Sequence, residues 1–180
     1  MNEAVQANEI VETSWRMGLV VLSYGIAVLG SFVALTAAQR IRGREGISWL
    51  NLLAAGTALG GIGVWSMHFT GMLALNLGMG SGYSMVETLL SLCAAVAATS
   101  VALAFVARRP ESGARVLGAG TLLGLGVAFM HYLGLSGMRF PGFIAWSVPT
   151  VLLSVGIPAS AASAAVWRSC RPSSPGRRDR

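Results

Sequence analysis

Charge is scarce in this chain. Ionisable Asp, Glu, Lys and Arg make up 11% of its 180 residues, against about 25% in soluble domains. Too few ions are present to coat a water-facing surface. With 54% hydrophobic residues and a mean hydropathy of +0.65, the composition is that of an integral membrane protein whose partner is the lipid bilayer. Lysine is absent, so the basic residues are all Arg. Cysteine is nearly absent: Cys93 lies inside an apolar run and Cys170 in the Arg-rich tail, which excludes a disulfide framework. No nucleophile–base constellation, phosphate-binding loop or paired carboxylates occur, so the chain is not expected to be an enzyme. The net charge of +6 does not point to nucleic acid, because no basic face is interleaved with stacking aromatics.

Five stretches are long enough to cross a hydrocarbon core, which takes about 20 residues. They run over residues 15–38, 48–77, 86–107, 116–135 and 143–167. The expected fold is all-α, a polytopic membrane helix bundle. The first stretch follows an acidic segment (Glu3, Glu9, Glu12) and ends at an Arg cluster, so it reads as a retained helix and not a cleaved signal. Arginine sets the orientation. Arg40, Arg42 and Arg44, then Arg108, Arg109 and Arg115, then Arg168, Arg171, Arg177, Arg178 and Arg180 share one side, against Arg16 and Arg139 on the other. The positive-inside rule therefore puts the amino terminus outside and the carboxyl terminus in the cytoplasm. Trp15 and Trp146 fall at outer ends and Trp49 and Trp167 at inner ends, as headgroup-level aromatics should. Residues 1–14 form a short external segment, residues 15–167 the membrane domain, and residues 168–180 a tail expected to be disordered, with no output domain after it.

The second and fourth stretches repeat each other. Gly61, Gly63, Val64, Met67, His68 and Gly71 recur as Gly124, Gly126, Val127, Met130, His131 and Gly134, and Phe69 is matched by Tyr132. Two crossings of the same sense suggest a parallel helix-pair repeat, which usually places a shared site at the repeat interface. The pairs Gly56/Gly60 and Gly120/Gly124 permit close helix approach and favour contact between spans two and four.

His68 and His131 are the two histidines of the chain, each toward the outer end of its span. Ionisable residues in membrane segments are costly and mark functional positions. Met17, Met67, Met72, Met79, Met85, Met130 and Met138 all fall in the outer half or the outer loops. Thioether sulfur suits Cu(I) and imidazole suits copper in either oxidation state. His68 and Met72 are four residues apart on one helix face, whereas Leu135 stands at the equivalent position of the fourth span. The expected metal site is therefore asymmetric: Met67, His68, Met72, Met130 and His131. The structural alternative is a pair of interfacial histidines hydrogen-bonded to neighbouring helices. Glu87 reads as an interfacial carboxylate, Cys93 as a packing residue, and Phe69 and Tyr132 as belt or packing aromatics.

Met67-His68-Phe69-Thr70 and Met130-His131-Tyr132-Leu133, with Gly-rich approaches and the following Gly71 and Gly134, resemble the paired motifs of the bacterial MHYT integral-membrane sensor domain. That resemblance implies a sensor of the bacterial cytoplasmic membrane that binds copper near the outer face and responds to oxygen, carbon monoxide or nitric oxide. Family members carry cyclic-di-GMP enzymes or histidine kinases on the cytoplasmic side. In this chain such an output would be a separate cytoplasmic signalling protein, and a homo-oligomer is compatible with the family. Leu133 replaces the family's Thr, and a third motif of longer members is missing. Two other functions compete: a bis-histidine haem electron carrier, and a small copper or ion transporter. Transport ranks lower, because inward of His68 the second span offers mainly Gly, Ala and Leu, with Asn51 near its far end.

Overall fold

The computed structural model describes residues 13–43, 46–78, 80–108, 113–141 and 147–170. The acidic segment at residues 1–12, Met79, Trp146 and the tail from Arg171 lie outside the described residues. Helix α1 (Met17–Ala38) is followed by a second span built from α2 (Trp49–Gly56), a π-helical stretch (Thr57–Ser66) and α3 (Met67–Ala74). Then come α4 (Met85–Arg108), α5 (Gly113–Ser136) and α6 (Val148–Cys170).

Four of these helices, Met17–Ala38, Trp49–Ala74, Met85–Arg108 and Gly113–Ser136, have the length and hydropathy to cross a membrane. At about 1.5 Å per residue, their 22 to 26 residues exceed a hydrocarbon core of about 30 Å. The fifth expected span is also a helix, of 23 residues, with Val148–Ala161 apolar among its described residues. It starts at Val148, with Pro149 in the first turn, where a missing N–H costs no helical bond; residues 142–146 of the expected span lie outside the described residues.

Neighbouring helices run antiparallel, and contacts at successive depths show it. Gly30 of α1 abuts Gly63. Trp65 bonds Ser91, while Gly60 meets Ala95 and Gly56 meets Ser100. Gly118 faces Phe105 and Gly126 faces Ala98; Gly120 meets Ser163 and Gly124 meets Ala159. The chain thus winds α1, second span, α4, α5, α6, each packed on its predecessor. Large apolar side chains such as Val21, Leu29, Phe32, Leu90, Val101, Leu117, Phe129 and Leu152 point outward, as they must where lipid is the solvent.

Short ladders tie the helix ends. At one end β1 (Ser14–Trp15) pairs with β4 (Leu75–Asn76), and β5 (Gly82–Tyr83) with β6 (Met138–Arg139). At the opposite, Arg-rich end β2 (Arg42–Gly43) pairs with β3 (Gly46–Ile47). There Ile41, Leu52, Ala55 and Ala107 form a buried cluster, and Ser48 caps α2 by accepting from the Asn51 amide at 3.4 Å. Asn51 also donates its side-chain amide to the Arg40 carbonyl at 3.0 Å, so this polar residue clasps the loop to α2.

The glycine pairs act differently from the sequence expectation. Gly56 and Gly60 face α4, and Gly120 and Gly124 face α6. A Cβ at Gly60 would lie 2.5 Å from both the Ala95 carbonyl oxygen and Thr99 Oγ1, and one at Gly124 would lie 2.5 Å from the Ala159 nitrogen. The small residues therefore close each helix pair within a repeat, not the contact between spans two and four. The physical reason is direction: a glycine pair permits close approach, and the antiparallel neighbour in the chain is the first helix available to use it.

Candidate functional site

The second span and α5 meet toward the end that carries the β1–β4 and β5–β6 ladders, opposite the Arg-rich loops, and they meet through their histidines. His68 lies one residue into α3, just beyond the π-helical stretch, and His131 lies in the last two turns of α5. Their Nδ1 atoms are 3.5 Å apart, with ring centroids at 4.7 Å and planes inclined by 63°. In one tautomeric arrangement, one Nδ1–H donates to the other ring. His68 Nε2 is buried and has no hydrogen-bond partner among the described residues. A buried donor or acceptor left unpaired in this way costs free energy, so this nitrogen has hydrogen-bonding capacity to spare.

Aromatic rings wall the pair. Phe69 stands edge-on to His68 at 5.4 Å, against Trp65 at 4.7 Å and below Tyr83 of β5 at 5.8 Å. Tyr132 stands edge-on to His131 at 5.2 Å, and its hydroxyl bonds Ser154 of α6. Trp65 donates Nε1–H to Ser91 Oγ at 2.9 Å, and Ser91 donates in turn to the Thr88 carbonyl at 2.7 Å. Burial raises the Tyr83 phenol above its ordinary pKa, so this outer aromatic stays neutral near the pair.

Glycine makes the fit between the two motifs. A Cβ on Gly134 would lie 3.2 Å from His68 Nε2 and 3.4 Å from Phe69 Cζ, whereas one on the repeat-equivalent Gly71 would meet nothing within 4 Å. The site is therefore asymmetric in packing as well as in sequence. Among the methionines, Met130 and Met72 are buried, at 1% and 8% exposure, and Met67 is half-buried. Met17 and Met85 are exposed, at 67% and 72%. Among the described residues, no group of three or more His, Cys, Asp and Glu is placed to hold a metal, so donors beyond the two imidazoles would be thioethers.

Glu87 stands apart from the pair: it accepts from Arg139 at 2.9 Å and from Ser84, clasping the outer ends of α4 and α5. Sequence reasoning did not single out Ser91, Tyr83 or Ser154. Lone Ser and Tyr residues carry no signal until their helices are placed.

Comparison with known proteins fits this arrangement. The family model described as "Bacterial signalling protein N terminal repeat" (MHYT) matches residues 61–119 and again 124–178, so the two copies start at the same 63-residue offset as the Met-His motifs. The chain is 37% identical over 162 residues to the bifunctional diguanylate cyclase/cyclic di-GMP phosphodiesterase MucR of Pseudomonas aeruginosa, covering 88% of this chain and 23% of the relative. It is 36% identical to an uncharacterized signaling protein of Caulobacter vibrioides, covering 86% and 19%. It is also 30% identical to the signaling protein YkoW of Bacillus subtilis, covering 71% and 16%. The chain thus spans about a fifth of the length of these relatives. No solved structure matches it. Two family-model matches that cover more than half of the chain, with a histidine pair at their meeting point, make this chain a member of the MHYT family, a multi-pass signalling domain of the bacterial cytoplasmic membrane.

Proposed function

We propose that the domain is a sensory input that holds a copper ion at the histidine pair and reports a diatomic gas (oxygen, carbon monoxide or nitric oxide) or redox state to a cyclic-di-GMP or kinase output. The single observation that carries this reading is the opposition of His68 and His131 at 3.5 Å, from two repeat-equivalent positions. Imidazole nitrogens bind a metal at about 2 Å, so two of them on one ion stand a little over 3 Å apart at a tetrahedral angle. Met72, a helical turn beyond His68, and Met67 and Met130, each adjacent to a histidine, supply the soft donors that favour Cu(I). A bound Cu(I) ion would supply a redox-active centre able to take a diatomic ligand.

The chain's own residues do the rest. Phe69, Trp65 and Tyr83 keep water from the pair, and the unpaired His68 Nε2 gives the ring a reason to reorient. A stimulus that favours one separation of the two imidazoles favours one arrangement of their helices, and only that difference in affinity can move the equilibrium. The second span and α4 form one clasped pair and α5 and α6 the other, so the change is felt at the α4–α5 interface and carried to the Arg-rich end.

Ring contact at 4.7 Å argues for a single ion over a haem, whose macrocycle would have to lie between the imidazoles. The close approach of Gly60 to Ala95 argues against a conducting path along the second span. Elemental analysis of detergent-purified protein tests the proposal: His68→Ala and His131→Ala should each lose most of the bound copper while the bundle still assembles. Wild-type protein without metal after copper-supplemented expression would overturn it, and a strong Soret band would replace copper with haem.

A further inference from the structure

The two histidine helices differ by one residue, and the difference falls where one of them is π-helical. On the cytoplasmic side of each motif the sequence reads Gly56-Thr57-Ala58-Leu59-Gly60 in the second span and Gly120-Thr121-Leu122-Leu123-Gly124 in α5. These segments correspond at an offset of 64, whereas Met67-His68 and Met130-His131 correspond at 63. Packing decides which glycines are true counterparts. Gly60 abuts the backbone of α4 and Gly124 that of α6, each the next helix in the chain. Gly61, which a constant offset would match to Gly124, would place a Cβ in ordinary contact, 3.5 Å from Val96 Cγ2 and 3.6 Å from Leu92 Cδ1. The second span therefore holds one surplus residue between its packing glycines and its histidine.

That surplus is stored in the π-helical stretch Thr57–Ser66; α5 is α-helical throughout. A π turn closes i to i+5 where an α turn closes i to i+4, so one added residue is absorbed without rotating the two ends relative to each other. Ser66 donates its hydroxyl five residues back, to the Gly61 carbonyl at 2.9 Å. Around this stretch the inner end is held by Gly56 and Gly60 on α4, while Gly30 of α1 seats against Gly63. The outer end carries His68.

We propose that Gly61 is an inserted residue and that the π-helical stretch it creates is the switch element of the domain. With the surplus held in the stretch, His68 faces His131. Passing the surplus outward converts the stretch to α-helix and turns His68 about its helix axis by roughly 100°, one residue's rotation, while the glycine contacts with α4 stay in place. As a signalling device this rests on the histidine pair being the sensing site, but the register itself needs no metal.

Two measurements test it without copper. Disulfide formation in the double variant His68→Cys/His131→Cys reports the opposition of the two positions. Deleting Gly61 from that variant should preserve the cross-link, because the spacing then equals that of α5. Deleting Leu125 from the α-helical α5 should abolish the cross-link. In protein with native histidines, hydrogen exchange of residues 57–66 should be faster than that of residues 121–129, and deletion of Gly61 should slow it to match. Loss of the cross-link or of bundle assembly on deleting Gly61 would overturn the proposal, as would equal exchange of the two segments before deletion. Absence of copper from the protein with native histidines, with the cross-link of the cysteine variant intact, would instead count against the metal reading alone.

Discussion

Gly71 and Gly134 occupy the same position in the two repeats, and alanine at each should have opposite consequences. Both lie in helices, where replacing Gly by Ala is worth up to about 1 kcal/mol in backbone terms. At Gly71 the new methyl meets nothing within 4 Å, so Gly71→Ala should be neutral or stabilising by that amount. At Gly134 the methyl would stand 3.2 Å from His68 Nε2, 3.4 Å from Phe69 Cζ and 3.5 Å from Phe69 Cε2. The histidine must withdraw by a few tenths of an ångström, and behind it stand Phe69 at 5.4 Å and His131 at 4.7 Å between ring centroids. Overpacking of this kind costs about 1–3 kcal/mol, so after the helical gain Gly134→Ala should be destabilising by up to about 2 kcal/mol.

The displaced ring belongs to the proposed copper site, so the same change should weaken Cu(I) retention, by tenfold for each 1.4 kcal/mol of misplacement. Thermal unfolding in detergent, paired with competition against a colorimetric Cu(I) chelator, measures both effects on the same preparations. Equal responses of the two alanine variants in both assays would refute the reasoning, since the packing of His68 and Phe69 against Gly134 is what distinguishes the positions. A stable Gly134→Ala variant with unchanged copper retention would show that the imidazole has room it lacks in this packing.

Two further outcomes follow from the packing. Gly60→Ala places a Cβ 2.5 Å from the Ala95 carbonyl oxygen, where no flexible side-chain end can yield; it should lower stability by about 3 kcal/mol or more, read as a loss of monodisperse protein on size exclusion. Glu87→Gln breaks the pair with Arg139, whose side chain is 65% exposed, and should leave bound copper unchanged by elemental analysis; a copper loss equal to that of His68→Ala would place Glu87 in the site.

Much of the fold was legible because membrane helices announce themselves by length and hydropathy. The Arg count separated the two ends of the bundle, and the described loops agree: Arg40 and Arg42 lie at the end opposite Arg16 and Arg139. The two histidines were legible as a pair because the motif recurs at a fixed offset, and the structure brings them together. Partner choice was not legible. A glycine pair states that some backbone comes close, but not which one, and the pairs Gly56/Gly60 and Gly120/Gly124 turned out to clasp α4 and α6.

The π-helical stretch marks where reading by offset stops working. A single alignment at 63 maximised identities around Met-His and hid the second correspondence at 64, because Gly61 and Gly124 are identical residues in different packing roles. Sequence identity counts the residue; packing counts what stands opposite it, and only the latter separates Gly60, pressed on the Ala95 carbonyl, from Gly61, in loose contact with Val96 and Leu92. A repeat pair under the same constraints at both ends, inner glycines on the next helix and outer histidines on each other, tolerates unequal spacing only if one helix changes its turn. The second span does so between Thr57 and Ser66, and the histidine that follows it is the one whose Nε2 is left without a partner among the described residues.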